Sequence, residues 1–266
     1  MPESGSVVVG VLHPGEMGSA VGRGLAERGF EVLWASAGRS DRSAARARAA
    51  GLTEAGTVRE LAGRAEVVLS ICPPHAAADV ARAVAGAGFS GTYVDANAIS
   101  PRTAEQVASI VTGGGATYVD GGIIGPPPAS AGTTRLYLSG ESADAVRELF
   151  DGTALEARIV AAGPWSASSL KMAYAAWTKG SGALLLTVHA LAQAEGVGDA
   201  LAAEWARSQP GLPDRLPGTA RSAAEKGWRW VGEMEEIAAT MAAAGLPDGF
   251  HLAAAEVYKN SPQPGN

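Results

Sequence analysis

Strand-like and helix-like segments alternate through the first part of this chain, and this alternation constrains the fold more than any other feature. The strand-like runs, rich in Val, Ile, Leu and Tyr, are VVVGVL, FEVLWAS, AEVVLSIC, GTYVDA and ATYVDG. Segments rich in Ala, Arg and Glu separate them. Such alternation is typical of βαβ units that build a doubly wound parallel sheet. Two later strand-like runs, RLYLSG and ARIVAA, with a helix between them over residues 142–150, are expected to extend the same sheet.

The character of the sequence changes at Gly163-Pro164. From Trp165 on, strand-like runs disappear and alanine dominates. A long helix is predicted from near Ser166 to near Gly196, at a rise of 1.5 Å per residue. Shorter helices are predicted after it, interrupted by PGLPDRLPG and GLPDG. The chain therefore divides into an α/β domain, residues 1–164, and an all-helical domain, residues 165–266.

Composition limits the classes of partner. The chain has 266 residues, a net charge of −6 and 47% hydrophobic residues, enough for one large domain or two modest ones, each with a core. The acidic balance argues against nucleic acid or an anionic membrane as main partner. The single cysteine, Cys72, indicates a reducing compartment. MPESG is unlike a signal peptide and GALLLTVHALAQA is too short to span a membrane. We expect a cytoplasmic protein with a small-molecule substrate and no metal.

A glycine-bearing turn follows the first strand, in GVLHPGEMGSAVG. Dinucleotide-binding Rossmann folds carry Gly-x-Gly-x-x-Gly there; Gly15 and Gly18 take its second and third places, and His13 takes the first. Gly15 would let the backbone approach a pyrophosphate, and Gly18 would let helix and strand pack closely. His13 should then adopt a turn conformation that glycine tolerates more easily, and it either lines the cofactor groove or is structural. The predicted cofactor contacts in this turn are His13, Pro14, Gly15, Glu16, Met17 and Gly18.

The end of the second strand bears on the choice of cofactor. An NAD site usually has an acidic residue there, which binds the ribose hydroxyls. In WASAGRSDR, Ser36 and Arg39 come first and Asp41 comes late. A hydroxyl and a guanidinium suit a 2′-phosphate. The alternative is that Arg39 and the arginines after it form a solvated helix face. Because a ribose-binding carboxylate is missing, NADP (NADPH) is the predicted cofactor.

Two further strand ends carry candidate residues, since ligands of such sheets bind beyond the carboxyl ends of the strands. In SICPPH, Cys72, Pro73 and Pro74 are predicted to wall the cofactor path. Cys72 is not expected to be a nucleophile, because no nearby base would generate its thiolate. In DANAISP, Asn97 either holds the nicotinamide carboxamide or a substrate oxygen, or only closes the turn before a helix that Ser100 caps.

Lys171 is the strongest catalytic candidate. It lies one turn inside the long helix, with Tyr174, Ala175 and Thr178 on the same helical face. A surface position is the default interpretation of a lysine, yet its neighbours are mostly apolar and no acidic residue is close enough for a helix-surface pair. Desolvation favours a neutral amine, which suits general acid–base chemistry. Tyr174 is the reserve proton donor, and Asn97 would orient the carbonyl.

Together these segments resemble the β-hydroxyacid dehydrogenase superfamily, which includes 3-hydroxyisobutyrate and 6-phosphogluconate dehydrogenases. GVLHPGEMGSAVG resembles its cofactor turn, VDANAISP its Asp-x-Ser-Thr-x-x-Pro segment, VDGGIIGPPP its substrate loop and GPWSASSLKMAYAAWTKG its catalytic helix. The resemblance implies that Lys171 protonates a carbonyl oxygen in reduction and deprotonates the alcohol in oxidation. KGWRWVGEMEEIAATMAAAGLP looks like the C-terminal part of a phosphogluconate-dehydrogenase-like branch.

The chain departs from the superfamily pattern in the substrate region. Ile124 and Pro126 replace the serine and second glycine of the substrate loop, and Ala175 replaces an asparagine of the catalytic helix. These changes indicate a substrate that is less polar than a short hydroxyacid or differently shaped. No cluster of basic residues for the phosphate of 6-phosphogluconate is evident, so that substrate is not carried over. The predicted substrate contacts are Ile124, Gly125, Thr178, Trp230 and Met234.

The helical domain is the expected dimer interface, and two alternative functions remain open. Gly180 and Gly182 each cost about 1 kcal/mol of helix propensity, so we expect tight packing around them. The resemblance implies a homodimer joined through the helical domain, in which Trp230 and Met234 either cap the partner's cleft or pack in the core. Imine reductases, which usually carry aspartate or tyrosine at the position of Lys171, are one rival. A non-catalytic NADP-binding sensor is the other.

Overall fold

The computed structural model describes residues 7–261, which form two compact units, residues 7–171 and 172–261. The boundary between the units falls inside the long helix, after Lys171. The domain boundary that the sequence suggests, between residues 164 and 165, stays a prediction.

The first unit is built on one eight-stranded sheet in the order β3-β2-β1-β4-β5-β6-β7-β8. Its strands are β1 (Val8–Val11), β2 (Glu31–Trp34), β3 (Thr53–Glu54), β4 (Val67–Ser70), β5 (Thr92–Asp95), β6 (Thr117–Ile124), β7 (Thr134–Ser139) and β8 (Leu155–Ile159). This confirms the predicted α/β fold, with one correction. β7 runs antiparallel to β6, because the loop over residues 125–133 turns the chain straight back without a crossover helix.

Helices cover both faces of the sheet. They are α1 (Glu16–Glu27), α2 (Asp41–Ala49), α3 (Val58–Ala62), α4 (Ala77–Gly86), α5 (Pro101–Gly113) and α6 (Ala143–Leu149), with a 3₁₀ turn at Pro74–Ala76. Neighbouring strand residues enter opposite cores, as Val68 and Leu69 do on β4. Burial on both faces explains why the strands are continuous apolar runs. The strand order reverses between β1 and β4, and such a reversal opens a ligand crevice at the carboxyl ends of the strands.

The second unit is helical. α7 (Ser166–Ala194) enters it from the first unit, and α8 (Gly198–Ser208), α9 (Leu212–Ala243) and α10 (Gly249–Lys259) follow. The prediction of shorter helices is wrong for α9, which runs through Pro217. Pro213 lies in the first turn, where the backbone N–H has no helical acceptor, and Pro217 removes only one hydrogen bond from the second turn.

Glycines inside α7 allow close packing within the second unit. A Cβ on Gly182 would lie 3.1 Å from the hydroxyl of Tyr258, and one on Gly180 would lie 3.1 Å from Nε2 of His251. The hydroxyl of Tyr258 donates a hydrogen bond of 2.6 Å to the carbonyl of Lys179. The glycines are therefore close-packed, as expected. Within residues 7–261, no helix combines the length and apolar character needed to cross a membrane.

Candidate active site

The turn between β1 and α1 leaves its backbone open at Gly15. α1 begins at Glu16 with Gly15 as N-cap, and no side chain caps it. Within residues 7–261 and apart from its chain neighbours, a Cβ on Gly15 would meet no atom within 4 Å, whereas a Cβ on Gly18 would lie 2.2 Å from the carbonyl oxygen of His13. The N–H groups of an uncapped helix N-terminus are available to a phosphate. The geometry thus supports the two different roles assigned to these glycines.

His13 occupies the turn without the strain that its position suggested. Within residues 7–261 every residue with positive φ is a glycine, so the expectation of a glycine-like conformation at His13 is wrong. Gly15 closes the turn by donating its N–H to the carbonyl of His13 at 2.8 Å. Burial, with a smaller contribution from Arg39, lowers the pKa of His13 to about 4, so its imidazole is neutral at physiological pH. The Nδ1 atom is buried and has no hydrogen-bond partner in the described chain.

Arg39 reaches from the segment after β2 back towards β1. One guanidinium nitrogen donates to the carbonyl of Leu12 at 3.3 Å. The same guanidinium acts electrostatically on both His13 and Cys72, and burial lowers its pKa. Its Nε is buried and lacks a partner among residues 7–261. Arg39 therefore lies at the carboxyl ends of the strands and not on a solvated helix face.

Glu54 is a candidate site residue that the sequence analysis missed. It ends β3, and its Oε1 accepts a hydrogen bond of 2.5 Å from the hydroxyl of Ser36. The argument for NADP depended on the lack of a carboxylate after β2, yet Glu54 supplies one from the adjacent strand. The sequence does not predict β3, because a strand of two residues shows no apolar pattern. Its pairing with β2 places Glu54 beside Trp34.

Asn97 joins the carboxyl ends of β4 and β5. Its Oδ1 accepts from the backbone N–H of Cys72 at 2.6 Å, and its Nδ2 donates to the hydroxyl of Ser70 at 3.1 Å. The side chain is 2% exposed. This geometry supports the alternative in which Asn97 closes the turn. Pro73 is partly exposed beside it, and Pro74 is buried.

The thiol of Cys72 is unreactive, as expected of a residue that only lines the cofactor path. Burial, reinforced by Asp95, raises the pKa of its thiol to about 12, so the thiol is protonated at neutral pH. A protonated thiol is a poor nucleophile. The structure thus supports a packing role for Cys72 and not covalent catalysis.

Lys171 lies against the end of β6. Its Nζ donates a hydrogen bond of 2.9 Å to the carbonyl of Ile123. A Cβ on Gly122 would lie 2.9 Å from Cβ of Lys171, so the helix and the strand are in close contact. Ile124 is buried, and Gly125 has a φ of +125° with Thr133 against it, which requires glycine. The first unit therefore brings Lys171 and the predicted substrate loop together.

The remaining predicted substrate contacts lie in the second unit. Thr178 and Trp230 line one cleft of about 420 Å³, together with Lys179, Arg215 and Tyr258. The ammonium of Lys179 pairs with Glu233 and lies 5.4 Å from the centre of the Trp230 ring. Tyr174 is 46% exposed. Met234 is fully buried in the core of its unit, which favours the packing interpretation over substrate contact.

Comparison with known proteins agrees with this geometry. The model of the NAD binding domain of 6-phosphogluconate dehydrogenase matches residues 8–161. The chain belongs to this family. A second model, a domain of unknown function named DUF1932, matches residues 192–261. These matches confirm the resemblance to the β-hydroxyacid dehydrogenase superfamily, and the protein is an NAD(P)-dependent oxidoreductase.

Solved structures share the fold over nearly the whole chain. A conserved hypothetical protein from Sinorhizobium meliloti is 26% identical, with 97% of this chain and 89% of that chain covered and a TM-score of 0.70. The 3-hydroxyisobutyrate dehydrogenase of Mycobacterium tuberculosis is 16% identical, with 96% and 93% covered and a TM-score of 0.72. An imine reductase of Streptomyces aurantiacus is 20% identical, with 96% of each chain covered and a TM-score of 0.58. The last two show a common fold.

Proposed function

We propose that the protein transfers a hydride between NADP(H) and a small carbonyl or alcohol substrate, with Lys171 as general acid and base. The observation that carries the proposal is the position of the Lys171 ammonium, 2.9 Å from the carbonyl of Ile123 at the end of the substrate loop. The nicotinamide supplies or accepts the hydride when bound. Lys171 donates the proton to the carbonyl oxygen in reduction and removes it from the alcohol in oxidation.

The hydrogen bonding of Lys171 leaves its ammonium free to transfer a proton to a substrate. Its one described acceptor is neutral, and within residues 7–261 it forms no ion pair with a carboxylate. An ammonium has three N–H donors, so two remain for a substrate oxygen. Lys179, by contrast, is already paired with Glu233. The proposal therefore assigns the proton transfer to Lys171.

The substrate class follows from the loop beside the lysine. Ile124 is buried and has no hydroxyl, where the superfamily pattern has serine. A pocket wall without that hydroxyl favours a carbonyl compound less polar than a short hydroxyacid. An imine reductase is the second candidate, supported by Tyr174, whose exposed phenol can also donate a proton.

A panel of substrates tests the proposed function. Short and branched β-hydroxyacids with NADP⁺, and ketones and cyclic imines with NADPH, are followed by absorbance at 340 nm. Turnover of alcohols or ketones supports the proposal, and turnover of imines alone supports the second candidate. NADPH binding without turnover of any compound would contradict the proposed substrate class.

The preference for NADP rests on Arg39. Its buried Nε has no partner within the described residues, and α2, whose N-terminus Ser40 caps, begins two residues later. A guanidinium next to a helix N-terminus suits a 2′-phosphate. Glu54 opposes this preference, because a carboxylate repels a phosphate and can bind ribose hydroxyls instead. We propose that Arg39 outweighs Glu54.

We expect NADPH to bind at least about tenfold tighter than NADH, a difference of about 1.4 kcal/mol. Arg39→Ala should remove most of this preference, and Glu54→Gln should increase it, since the carboxylate charge is then gone. Titration of cofactor fluorescence measures both dissociation constants. Arg48→Ala, an exposed arginine in the last turn of α2, is the matched control. Equal affinity for the two cofactors in the unmodified protein would contradict the assignment.

We also propose that the protein is a homodimer joined through its helical unit. Trp177, Leu184 and Leu191 recur every seven residues along α7 and are 73%, 64% and 60% exposed. Large apolar side chains at this spacing form one stripe, which is typical of a helix that packs against another helix. The predicted cytoplasmic location stays a prediction.

Light scattering should give the mass of a dimer at micromolar concentration. Trp177→Glu combined with Leu184→Glu should shift the protein to monomer, because each subunit would bury two charges in the interface. Leu246→Glu, an exposed leucine outside the stripe, should leave the dimer intact. A monomeric mass for the unmodified protein would rule out this assembly.

A further inference from the structure

The first turn of α7 is held by a side chain from the sheet. Asp120, on β6, is 1% exposed. Its Oδ2 accepts hydrogen bonds of 2.9 Å from the hydroxyl of Ser139 and from the backbone N–H of Ser168. Its Oδ1 accepts one of 2.5 Å from the hydroxyl of Ser168. The Ser139 hydroxyl in turn accepts from the N–H of Ala167 at 3.1 Å. Side chains of β7 and β6 thus satisfy the N–H groups of Ala167 and Ser168 in the first turn of α7.

This arrangement differs from the other caps in the first unit. α2 and α5 are capped by the serines directly before them, Ser40 and Ser100. A local cap orders one helix end, whereas a carboxylate from the sheet also sets where the helix sits on the strand. Burial raises the pKa of Asp120 despite its hydrogen bonds, so keeping the carboxylate there is costly. Asp120 therefore caps the start of α7 and also fixes the place of that turn on β6.

The same short piece of β6 also holds the catalytic candidate. Gly122 lets the strand backbone approach α7, since a Cβ there would lie 2.9 Å from the carbonyl oxygen of Ala167 and from Cβ of Lys171. Ile123 then provides the carbonyl that accepts from Lys171. Asp120 holds the backbone of the turn that precedes Lys171, and Ile123 holds the ammonium.

We propose that Asp120 is a positioning residue, which seats the first turn of α7 on β6 so that the Lys171 ammonium stays at the Ile123 carbonyl. This inference rests on the proposed function of Lys171. The seating depends on hydrogen bonds and not on charge. Asparagine can bond to the same groups: its oxygen accepts from the Ser139 hydroxyl and the Ser168 N–H, and its amide donates to the Ser168 oxygen, which reverses the direction of that one bond.

Steady-state kinetics of Asp120→Ala and Asp120→Asn test the proposal. Asp120→Ala should lower kcat by roughly 10–100-fold, because a small misplacement of a catalytic group is enough for such a loss. KM should change less than kcat, and the Kd of NADPH should stay within about twofold of the unmodified value. Asp120→Asn should recover kcat to within about fivefold of the unmodified protein. Full kcat in the alanine variant, or an asparagine variant as impaired as alanine, would overturn the proposal.

A matched core variant separates positioning from loss of stability. Val146→Ala removes two buried methyl groups from α6 and should lower Tm while kcat of the folded protein is retained. A kcat loss in Val146→Ala equal to that of Asp120→Ala would show a general effect of destabilisation and overturn the proposal. Should Asp120→Ala not fold, Ser168→Ala removes one of the three hydrogen bonds to Asp120 and is expected to show the same pattern, more weakly.

A readout independent of activity completes the test. Trinitrobenzenesulfonate labels free amines, and peptide mass spectrometry gives the labelling rate at Lys171. Asp120→Ala should raise this rate at least about threefold, because the ammonium leaves its carbonyl acceptor, and Asp120→Asn should not. An unchanged rate in Asp120→Ala would overturn the seating role even where turnover is absent. If Lys171→Ala keeps its turnover while labelling responds as expected, the proposed function fails and the seating stands.

Discussion

Lys171→Ala should lower kcat by roughly 10²–10⁴-fold and leave the dissociation constant of NADPH within about twofold of its unmodified value. The reason is that different residues of the first unit bind the cofactor and transfer the proton. The open backbone at Gly15 and the guanidinium of Arg39 are the candidate anchors of the cofactor, whereas Lys171 bonds to Ile123 at the substrate loop. Loss of the ammonium removes the proton donor without removing a cofactor contact. Stopped-flow kinetics and cofactor titration measure the two quantities separately.

Two variants make this expectation specific to proton transfer. Lys171→Arg keeps a cation, but arginine does not give up its proton in proteins, so alcohol oxidation should stay as low as in the alanine variant. Lys226→Ala, an exposed lysine on α9, should have unmodified kinetics. Full turnover in Lys171→Ala would remove the lysine mechanism. Loss of turnover in Tyr174→Phe in that case would favour the imine reductase.

The fold was predictable where a residue pattern is a direct consequence of burial. Strands buried on both faces need continuous apolar residues, and β1 and β4 carry them. The direction of β7 leaves no such trace, because apolar periodicity is the same in parallel and antiparallel strands. β3 exists through its pairing with β2, and a two-residue segment has no periodicity of its own. α9 continues past Pro217 because the packing of a long helix outweighs one lost hydrogen bond.

The site was predictable where the backbone itself demands a residue type. Gly18 is required by contact with the carbonyl of His13, only five residues earlier, and such a local constraint is visible in the sequence. The partners of Arg39 and Asn97 come from other strands, so no local pattern could indicate that one reaches Leu12 and the other closes on Cys72. The sequence did not predict the role of Glu54 for the same reason, since only the pairing of strands in the sheet brings Glu54 to Ser36.

Alanine at each of the two glycines should separate cofactor binding from folding. At Gly15, φ is −70° and a methyl group would meet no non-neighbouring atom of the described residues within 4 Å. Gly15→Ala should therefore fold with at most a small loss of Tm, alanine being a weaker N-cap. The methyl would nevertheless occupy the open face of the turn where a pyrophosphate must approach. We expect the affinity for NADPH to fall by roughly 10²-fold, about 2.7 kcal/mol.

Gly18→Ala should have the opposite signature. Its Cβ would lie 2.2 Å from the backbone oxygen of His13, which cannot move without displacing α1 from β1, so a loss of stability of about 1–3 kcal/mol is expected. Calorimetry gives Tm for both variants, and titration gives the Kd of NADPH. Gly113→Ala, at the end of α5 where a Cβ likewise has no contact within 4 Å among the described residues outside its own helix, is the control for methyl addition as such. Unmodified NADPH affinity in Gly15→Ala would mean that the cofactor does not approach this backbone, and the dinucleotide assignment of the turn would fail even though its fold stands.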